Sequence, residues 1–355
     1  MDTDQDISID QEFISRCFDL DHLTFLIGTG LSKEFGGPTM ADIAKAMNGK
    51  LPSRNATLEQ WIKEDISSDS PNVEKFLDKL YLRKRYYEDS KHKCKYTEKL
   101  ISITRAQIFD LCSFTPKQEN LVILFLFLNT LINRKSGLAR VNLFTLNYDL
   151  LIETCCDTLG ILLNDGFDGT MTRWLNPSQF DMDYYYPSGI VGDKPVRCER
   201  VMNYFKLHGS LNWVKDGNRI VKGPLSYENM IIYPCLDKFD AMAYEPFAEI
   251  FRRFSVSIKR LKGALIVVGY SFCDPHINQI ILQALEQPSF RMVVVNPDAN
   301  CIDSFFPEAQ RFPNKVRKLI VGFKDFVEKY LPSDTEDSGT SAEKAIELLK
   351  KLIGR

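Results

Sequence analysis

The chain has 355 residues, enough for one large domain with insertions or for two smaller ones. Its composition, 44% hydrophobic and 26% charged, is ordinary for a globular protein that buries a sizeable core. A formal net charge of −2 excludes a general electrostatic attraction to nucleic acid or to anionic membranes, so such a contact would need a local basic patch.

Predicted strands and helices alternate along the chain. The predicted strands are residues 22–27, 141–146, 203–207, 231–233, 264–268, 291–295 and 318–321. The predicted helices are one that starts near Thr39 and continues to residue 47, most of residues 49–140, and residues 148–159, 244–262, 275–286 and 341–353. This order predicts an α/β fold, with a Rossmann-like, mostly parallel sheet and a large helical insertion.

The same pattern predicts a domain organisation. We expect residues 1–330 to form one domain, with a core at 22–48 and 141–330 and a helical insertion at 49–140. Residues 160–230 are rich in Gly, Pro, Asp and aromatic residues and have little periodicity, which indicates a loop-rich small subdomain. Residues 331–355 are predicted to be a polar linker, at 333–340, followed by a terminal helix.

Targeting, membrane and zinc segments are not expected. The first residues are acidic where a signal peptide would need basic ones, and the longest apolar run, residues 121–132, is too short to cross a bilayer. The nine cysteines include no C-x-x-C pair, which argues against a disulfide framework and a zinc module. We therefore expect a cytoplasmic protein without a metal site.

The first motif is Gly28-Thr29-Gly30, directly after the first strand. Glycines at this place let the backbone approach a pyrophosphate at the start of a helix. The full G-x-G-x-x-G pattern is absent, because Lys33 takes the third glycine position. Alone, the motif is equally consistent with a tight turn that binds nothing.

Asn147 and His208 also follow predicted strands. Asn147 offers both a donor and an acceptor and could hold a ribose hydroxyl or orient a water, although a helix cap is an equal alternative. His208 precedes a glycine and has no metal-ligand partners in sequence, which favours a general base. His276 is the rival histidine, but its place at a helix start favours capping or packing.

Two later strand ends complete the set. Gly269 and Ser271 could contact phosphate or ribose, and Asn296 could meet an adenosine. Asp274 is predicted to cap the helix that follows it. Polar groups at the carboxyl ends of parallel strands converge on one crevice, so five such ends predict one shared ligand site.

In this order, the motifs resemble those of the sirtuin-like (silent information regulator) superfamily. The likeness is greatest to its bacterial anti-phage defence NADase branch, in the short form that partners a HerA-type ATPase. The resemblance covers roughly residues 22–300 and rests on Gly28-Thr29-Gly30-Leu31-Ser32, Thr145-Leu146-Asn147-Tyr148-Asp149, Leu207-His208-Gly209-Ser210, Gly269-Tyr270-Ser271 and Val295-Asn296.

The resemblance implies roles for these residues. Asn147 and His208 would be catalytic, with Asn147 at the nicotinamide ribose and His208 as the general base. NAD⁺, as substrate, would be bound by Gly28, Thr29, Gly30, Ser32, Asp149, Gly269, Ser271 and Asn296. The first four would line the phosphates and ribose, Asp149 would lie beside the nicotinamide ribose, and the last three would hold the adenosine half.

The departures narrow the expected chemistry. Protein-deacylating sirtuins carry a four-cysteine zinc module, and here no C-x-x-C pair exists. Residues 36–40 keep the proline of the sirtuin Gly-Ile-Pro-Asp-Phe-Arg stretch but lack its Asp and Arg. We therefore expect an NAD⁺ hydrolase that releases nicotinamide and ADP-ribose. The alternatives are a non-catalytic NAD or ADP-ribose sensor and an NAD-dependent protein deacylase.

The resemblance also implies partners. An unrestrained NAD⁺ hydrolase would kill its host, so we expect a homo-oligomer gated by assembly or by a separate protein, first a HerA-type ATPase and second a short Argonaute. The basic and aromatic residues 83–87 could bind nucleic acid, but a solvated helix face or a protein contact is the favoured interpretation. Direct binding to nucleic acid or a membrane is not expected.

Overall fold

The structure is a computed structural model that describes residues 2–51, 56–69, 71–87, 91–116, 118–135, 137–226, 230–232, 246–298 and 300–332. The predicted linker 333–340 and terminal helix 341–353 lie outside the described residues. So do residue 233 of one predicted strand and residues 244–245 of one predicted helix.

Strands and helices alternate as the sequence predicts. The strands are β1 His22–Ile27, β2 Asn142–Thr145, β3 Leu162–Asn164, β4 Phe167–Asp168, β5 Trp174–Leu175, β6 Tyr185–Tyr186, β7 Val196–Arg197, β8 Val201–Lys206, β9 Gly209–Asp216, β10 Arg219–Lys222, β11 Met230–Ile232, β12 Gly263–Val268, β13 Arg291–Val295 and β14 Val316–Leu319. The helices are α1 Asp2–Phe18, α2 Thr29–Glu34, α3 Met40–Met47, α4 Ala56–Asp65, α5 Val73–Tyr86, α6 Lys91–Cys112, α7 Gln118–Ile132, α8 Leu151–Leu159, α9 Phe247–Ile258, α10 Pro275–Leu285, α11 Asn300–Phe305 and α12 Phe323–Lys329. Two 3₁₀ helices are Pro177–Asp181 and Pro307–Arg311.

The main sheet has seven strands in the order β14-β13-β12-β1-β2-β8-β3, and its paired strands are parallel. β12 is buried along its whole length and β1 along all but its first residue, as expected where helices cover both faces of a parallel sheet. The chain leaves β1 toward β2 on one side and returns to β12 on the other. A ligand crevice is expected at this reversal, outside the carboxyl ends of the strands.

A second, antiparallel sheet occupies much of the region predicted to be loop-rich. Its strand order is β11-β9-β10-β5-β4. β8 of the main sheet leads through Leu207 and His208 directly into β9, where Gly209 adopts a φ of +85°. The two sheets are therefore joined by one short bend, and His208 lies in it.

The helical insertion has two packing modes. Helices α4 to α6 share a core with α3, around Leu58, Phe76 and Leu100, and this core also takes in Tyr148 and Leu211 from the main fold. Helix α7 instead packs in the core of the parallel sheet, where Phe127 meets Phe25 of β1 edge-to-face. The insertion is thus attached firmly to the loops around the carboxyl edge of the sheet.

The predicted α/β class, with its mostly parallel sheet and large helical insertion, is confirmed. Thr39 caps α3 with a capping box, and Asp274 caps α10, as predicted.

Helix α8 begins at Leu151 rather than at residue 148, because residues 146–150 form the loop that carries Asn147. Strand β14 lies two residues earlier than predicted, and helices α1 and α2 were not predicted. No helix among the described residues is long and apolar enough to span a membrane.

Three glycines allow the turns after β1 and β12 to touch. Gly30 N donates a hydrogen bond to Gly269 O at 2.9 Å, and Gly269 has a φ of +64°. A Cβ on Gly28 would lie 2.5 Å from Gly269 O, and one on Gly269 would lie 2.5 Å from Leu31 N. Because the opposing atoms are backbone, no side-chain rotation could relieve either clash.

We expect Gly28→Ala to destabilise the protein by about 1–3 kcal/mol, because the added methyl group must push the two turns apart. Urea unfolding of the purified variant measures the loss. Gly192→Ala is the matched control, since its nearest contact would be a Val196 methyl group at 3.8 Å. Equal unfolding midpoints for the two variants would contradict the packing role of Gly28.

Candidate functional site

The five predicted strand ends lie together at the carboxyl edge of the main sheet. The parallel sheet has β13, β12, β1, β2 and β8 as five consecutive strands, so the residues that follow them share this edge. A cavity of about 120 Å³ opens here. Its lining includes Gly28, Thr29, His208, Gly269 and Ser271 from the predicted set.

The insertion and the start of α10 close the other side of this cleft. Glu74 and Lys75 of α5 line it, together with Met40 at the start of α3. Cys273 and Asp274, which precede α10, complete this wall. The cleft is therefore bounded by the main sheet on one side and by the helical insertion on the other.

Asn147 is not part of the cleft lining, but it lies in a buried hydrogen-bond network that includes Gly28 of that lining. Its Nδ2 donates to Gly28 O at 3.1 Å and to Ser32 Oγ at 2.9 Å. Ser32 Oγ in turn donates to Asp149 Oδ2 at 2.7 Å, and Asp149 Oδ1 accepts from Leu151 N. The side chains of Ser32 and Asp149, predicted to bind the ligand, are thus engaged in holding Asn147.

The amide oxygen of Asn147, unlike its nitrogen, has no hydrogen-bond partner among the described residues. Within the described part of the chain, Oδ1 of Asn147 is buried and accepts no hydrogen bond. Leaving such an acceptor unpaired costs about 1–3 kcal/mol. Its donor side is fixed by Gly28 and Ser32, so Oδ1 is held ready for an O–H or N–H donor, such as a water or a ribose hydroxyl.

A buried cation supports the loop that carries Asn147. Lys206 Nζ donates to Asp149 O at 2.5 Å and to Glu153 Oε1 at 2.8 Å. Tyr204 OH donates to Glu153 Oε2 at 2.9 Å. Burial raises the pKa of the Asp149 carboxyl, although the Lys206 charge and the Ser32 hydrogen bond oppose that rise.

His208 lies between two carboxylates and is only 2% exposed. Its Nδ1 is 3.1 Å from Oε1 of Glu74, which also accepts a 2.6 Å hydrogen bond from Tyr148 OH. Its Nε2 is 3.3 Å from Oδ2 of Asp274. A neutral imidazole has one N–H, so His208 can donate to both carboxylates only as an imidazolium.

Asp274 has two tasks. Its Oδ1 accepts from the backbone N–H groups of His276 and Ile277, which caps α10. Burial alone would raise the pKa of the Asp274 carboxyl, but the neighbouring His208 and these backbone donors bring the pKa below its ordinary value. Asp274 is therefore a fixed anion at the wall of the cleft.

The remaining predicted residues divide by position. Thr29 and Ser271 line the cleft, and Ser271 is exposed. Asn296 does not line it: its Nδ2 donates to Tyr270 O at 3.1 Å, and its Oδ1 accepts from Asp298 N. His276, the rival histidine, is half-buried in the first turn of α10 and is not part of the lining.

Sequence reasoning missed Glu74, Tyr148 and Lys206 as parts of the site. Glu74 is 134 residues from His208 in the chain, within an ordinary helical pattern, so nothing local distinguishes it. Tyr148 lies inside one recognised motif, and Lys206 directly precedes another. The available signal was a polar group on a side chain that is buried next to an apolar strand. Among the described residues, no group of three or more His, Cys, Asp or Glu is arranged to hold a metal ion.

We expect Ser32→Ala to cost about 1–3 kcal/mol of unfolding free energy, because Asn147 Nδ2 and Asp149 Oδ2 each lose a buried partner. Chemical denaturation gives the difference. Ser188→Ala, on an exposed loop, is the control and should unfold like the unsubstituted protein. A Ser32→Ala protein as stable as this control would contradict the buried network.

Part of the chain is similar to a known protein family. Residues 141–308 match the family model of the SIR2-like domain, a stretch that holds Asn147, His208 and Gly269. No curated protein sequence matches the chain. Among solved structures, a mutant Sir2 homologue in complex with ADP-ribose is 13% identical, with 97% of both chains covered and a TM-score of 0.44. A Sir2 homologue in complex with NAD is 14% identical, with 96% of this chain and 95% of that chain covered and a TM-score of 0.44. The family match, which covers just under half of the chain, supports a place for this region in the sirtuin-like superfamily.

Proposed function

We propose that the protein is an NAD⁺ hydrolase that cleaves the bond between nicotinamide and ribose. Water adds to the anomeric carbon, nicotinamide leaves with the electrons of the broken C–N bond, and one proton is released. The products are nicotinamide and ADP-ribose. The observation that carries the proposal is the buried, unpartnered Oδ1 of Asn147, whose amide is hydrogen-bonded to Gly28 O, next to a cleft that Gly28 and His208 both line.

Asn147 and His208 take complementary roles in this proposal. Loss of nicotinamide leaves an oxocarbenium-like ribose, which water must attack from one face. Oδ1 of Asn147 accepts a hydrogen bond from the attacking water or from a ribose hydroxyl. His208 accepts the proton, directly or through the ribose, and general-base help of this kind is worth about 10²–10⁴-fold in rate.

The other residues bind or support. Thr29 and Ser271 contact the phosphates and ribose from the cleft wall, and Gly28, Gly30 and Gly269 let the ligand approach the backbone closely. Ser32 and Asp149 act on NAD⁺ through Asn147, since their polar atoms are engaged with it or with each other. Asn296 serves the adenosine half indirectly, from the end of β13, because its Nδ2 and Oδ1 are engaged with Tyr270 O and Asp298 N.

We further propose that the hydrolase depletes NAD⁺ as the effector of a bacterial anti-phage defence system, in the cytoplasm. Activity is gated by homo-oligomer assembly or by a partner in trans, a HerA-type ATPase first and a short Argonaute second. The working unit is residues 1–330, a sirtuin-like NAD-binding domain, with residues 331–355 as a linker and helix. The absence of a C-x-x-C pair favours hydrolysis over protein deacylation.

We expect His208→Ala and Asn147→Ala to lower nicotinamide release by about 10²–10⁴-fold, because each removes a group that acts on the reacting ribose or water. Chromatography of nicotinamide and ADP-ribose after incubation with NAD⁺ measures the loss. His276→Ala is the matched control and should keep full turnover. Full turnover by purified His208→Ala protein would contradict the role of His208.

Product identification separates the rival functions. The protein, with and without each co-expressed partner, is incubated with NAD⁺ and with an acylated peptide. We expect ADP-ribose without the peptide, because water replaces the acyl group as nucleophile. Tight NAD⁺ binding without nicotinamide release in any of these samples would favour a sensor, and O-acyl-ADP-ribose would show a deacylase.

A further inference from the structure

Glu74 is the one residue of the helical insertion that contacts His208 through a described hydrogen bond. The two contacts of the imidazole are unequal. The Glu74 contact to Nδ1 is 3.1 Å and has hydrogen-bond geometry, whereas Asp274 Oδ2 stands 3.3 Å from Nε2 without it. Glu74 therefore orients the ring at its Nδ1 side.

The Glu74 carboxylate is itself held in place. Tyr148 OH donates to the same Oε1 atom that faces His208, at 2.6 Å. Tyr148 is 2% exposed and packs in the core of the insertion. The Glu74 side chain is only 19% exposed at the wall of the cleft. A buried tyrosine thus fixes the carboxylate, and the carboxylate fixes the imidazole.

The Asp274 side offers the place for a reacting group. The Oδ1 atom of Asp274 is committed to the cap of α10, so this carboxylate cannot follow the ring. Asp274 and His208 both line the cleft. Because Nε2 and Oδ2 are only 3.3 Å apart, a water or hydroxyl in the cleft would lie beside this pair and donate to one of the two atoms.

From this arrangement, and resting on the proposed hydrolase, we propose that Glu74 is the positioning residue of His208. Its carboxylate holds the proton on Nδ1 and thereby leaves Nε2 as the nitrogen that accepts a proton from the substrate side. This is the logic by which a carboxylate orients a catalytic histidine in a nucleophile–histidine–carboxylate triad. Helix α5 of the insertion is accordingly part of the active site, and any displacement of α5 is transmitted to His208.

The charges around the His208 ring determine whether replacement of Glu74 makes His208 lose its proton at lower or at higher pH. The described titratable groups at this place are Glu74 and Lys75 on α5, Tyr148 from the loop after β2, and Cys273 and Asp274 before α10. A carboxylate beside an imidazole favours the imidazolium form and raises the pKa of the histidine. Replacement of Glu74 by a neutral residue removes that stabilisation, so His208 then gives up its proton at lower pH.

The test reads His208 directly in the ligand-free protein. Nitrogen-15 NMR of the imidazole groups, with the His208 signals assigned from a His208→Gln variant, follows the protonation and tautomer of the ring against pH. We expect Glu74→Gln to lower the titration midpoint of His208 by about one pH unit and to weaken the preference for Nδ1–H. Glu59→Gln, an exposed carboxylate on α4, is the matched control and should leave both unchanged.

Glu74→Asp keeps the charge with a shorter reach and provides a second variant if Glu74→Gln does not fold. Its midpoint should lie between those of the unsubstituted protein and Glu74→Gln. Identical midpoints and tautomers in the unsubstituted protein and the folded Glu74 variants would overturn the positioning role, whether or not the protein consumes NAD⁺.

Turnover supplies an independent readout. In Glu74→Gln we expect kcat to fall about 10–100-fold and the acid limb of kcat/KM to move to lower pH. A loss of stability alone would lower the fraction of active protein without shifting the acid limb of the kcat/KM profile. If the unsubstituted protein hydrolyses NAD⁺ and Glu74→Gln shares its pH profile, the positioning role fails and the hydrolase stands. If His208 shifts but no sample hydrolyses NAD⁺, the hydrolase fails and the positioning contact stands.

Discussion

Backbone contact between the turns after β1 and β12 is the constraint on which the candidate site depends. The two strands are neighbours at the point where the strand order reverses, and their following turns meet without intervening side chains. Gly28, Gly30 and Gly269 make this possible. The contact places Gly28 O where Asn147 donates to it, so the glycines shape the site even where they leave no room for a ligand between them.

Two polar networks rest on that frame, and they have different functions. The Ser32–Asn147–Asp149 network is buried and fixes one amide so that its oxygen alone is left for a donor. The Glu74–His208–Asp274 arrangement lies at the wall of the cleft. The first comes from the parallel sheet and its turns, whereas the second needs a helix from the insertion. In the proposed hydrolase, the group that positions water or ribose and the group that accepts the proton would therefore come from separate parts of the fold.

The sequence predicts the strand ends well because apolar runs that stop at Gly, Asn or His are visible locally. It also predicts the two caps at Thr39 and Asp274, whose signals lie within three residues. Of the second sheet, only the strand at 231–233 was predicted, because β4 and β5 have two residues each and residues 160–230 show little periodicity. The partner of His208 could not be predicted, because a helical pattern around Glu74 shows that a face is polar without showing what it meets. For the same reason, the hydrogen bonds that link Ser32 to Asn147 and to Asp149 could not be predicted.

The site is dispersed along the chain, and this has a consequence for its biosynthesis. Residues from 28 to 274 must be present before the cleft has both walls, and β1 cannot complete its pairing until β12 has been made. During translation, the edge of β1 that pairs with β12 would stay unpaired while the more than two hundred residues between these strands were added. The cleft therefore has both of its walls only after residue 274 has been made.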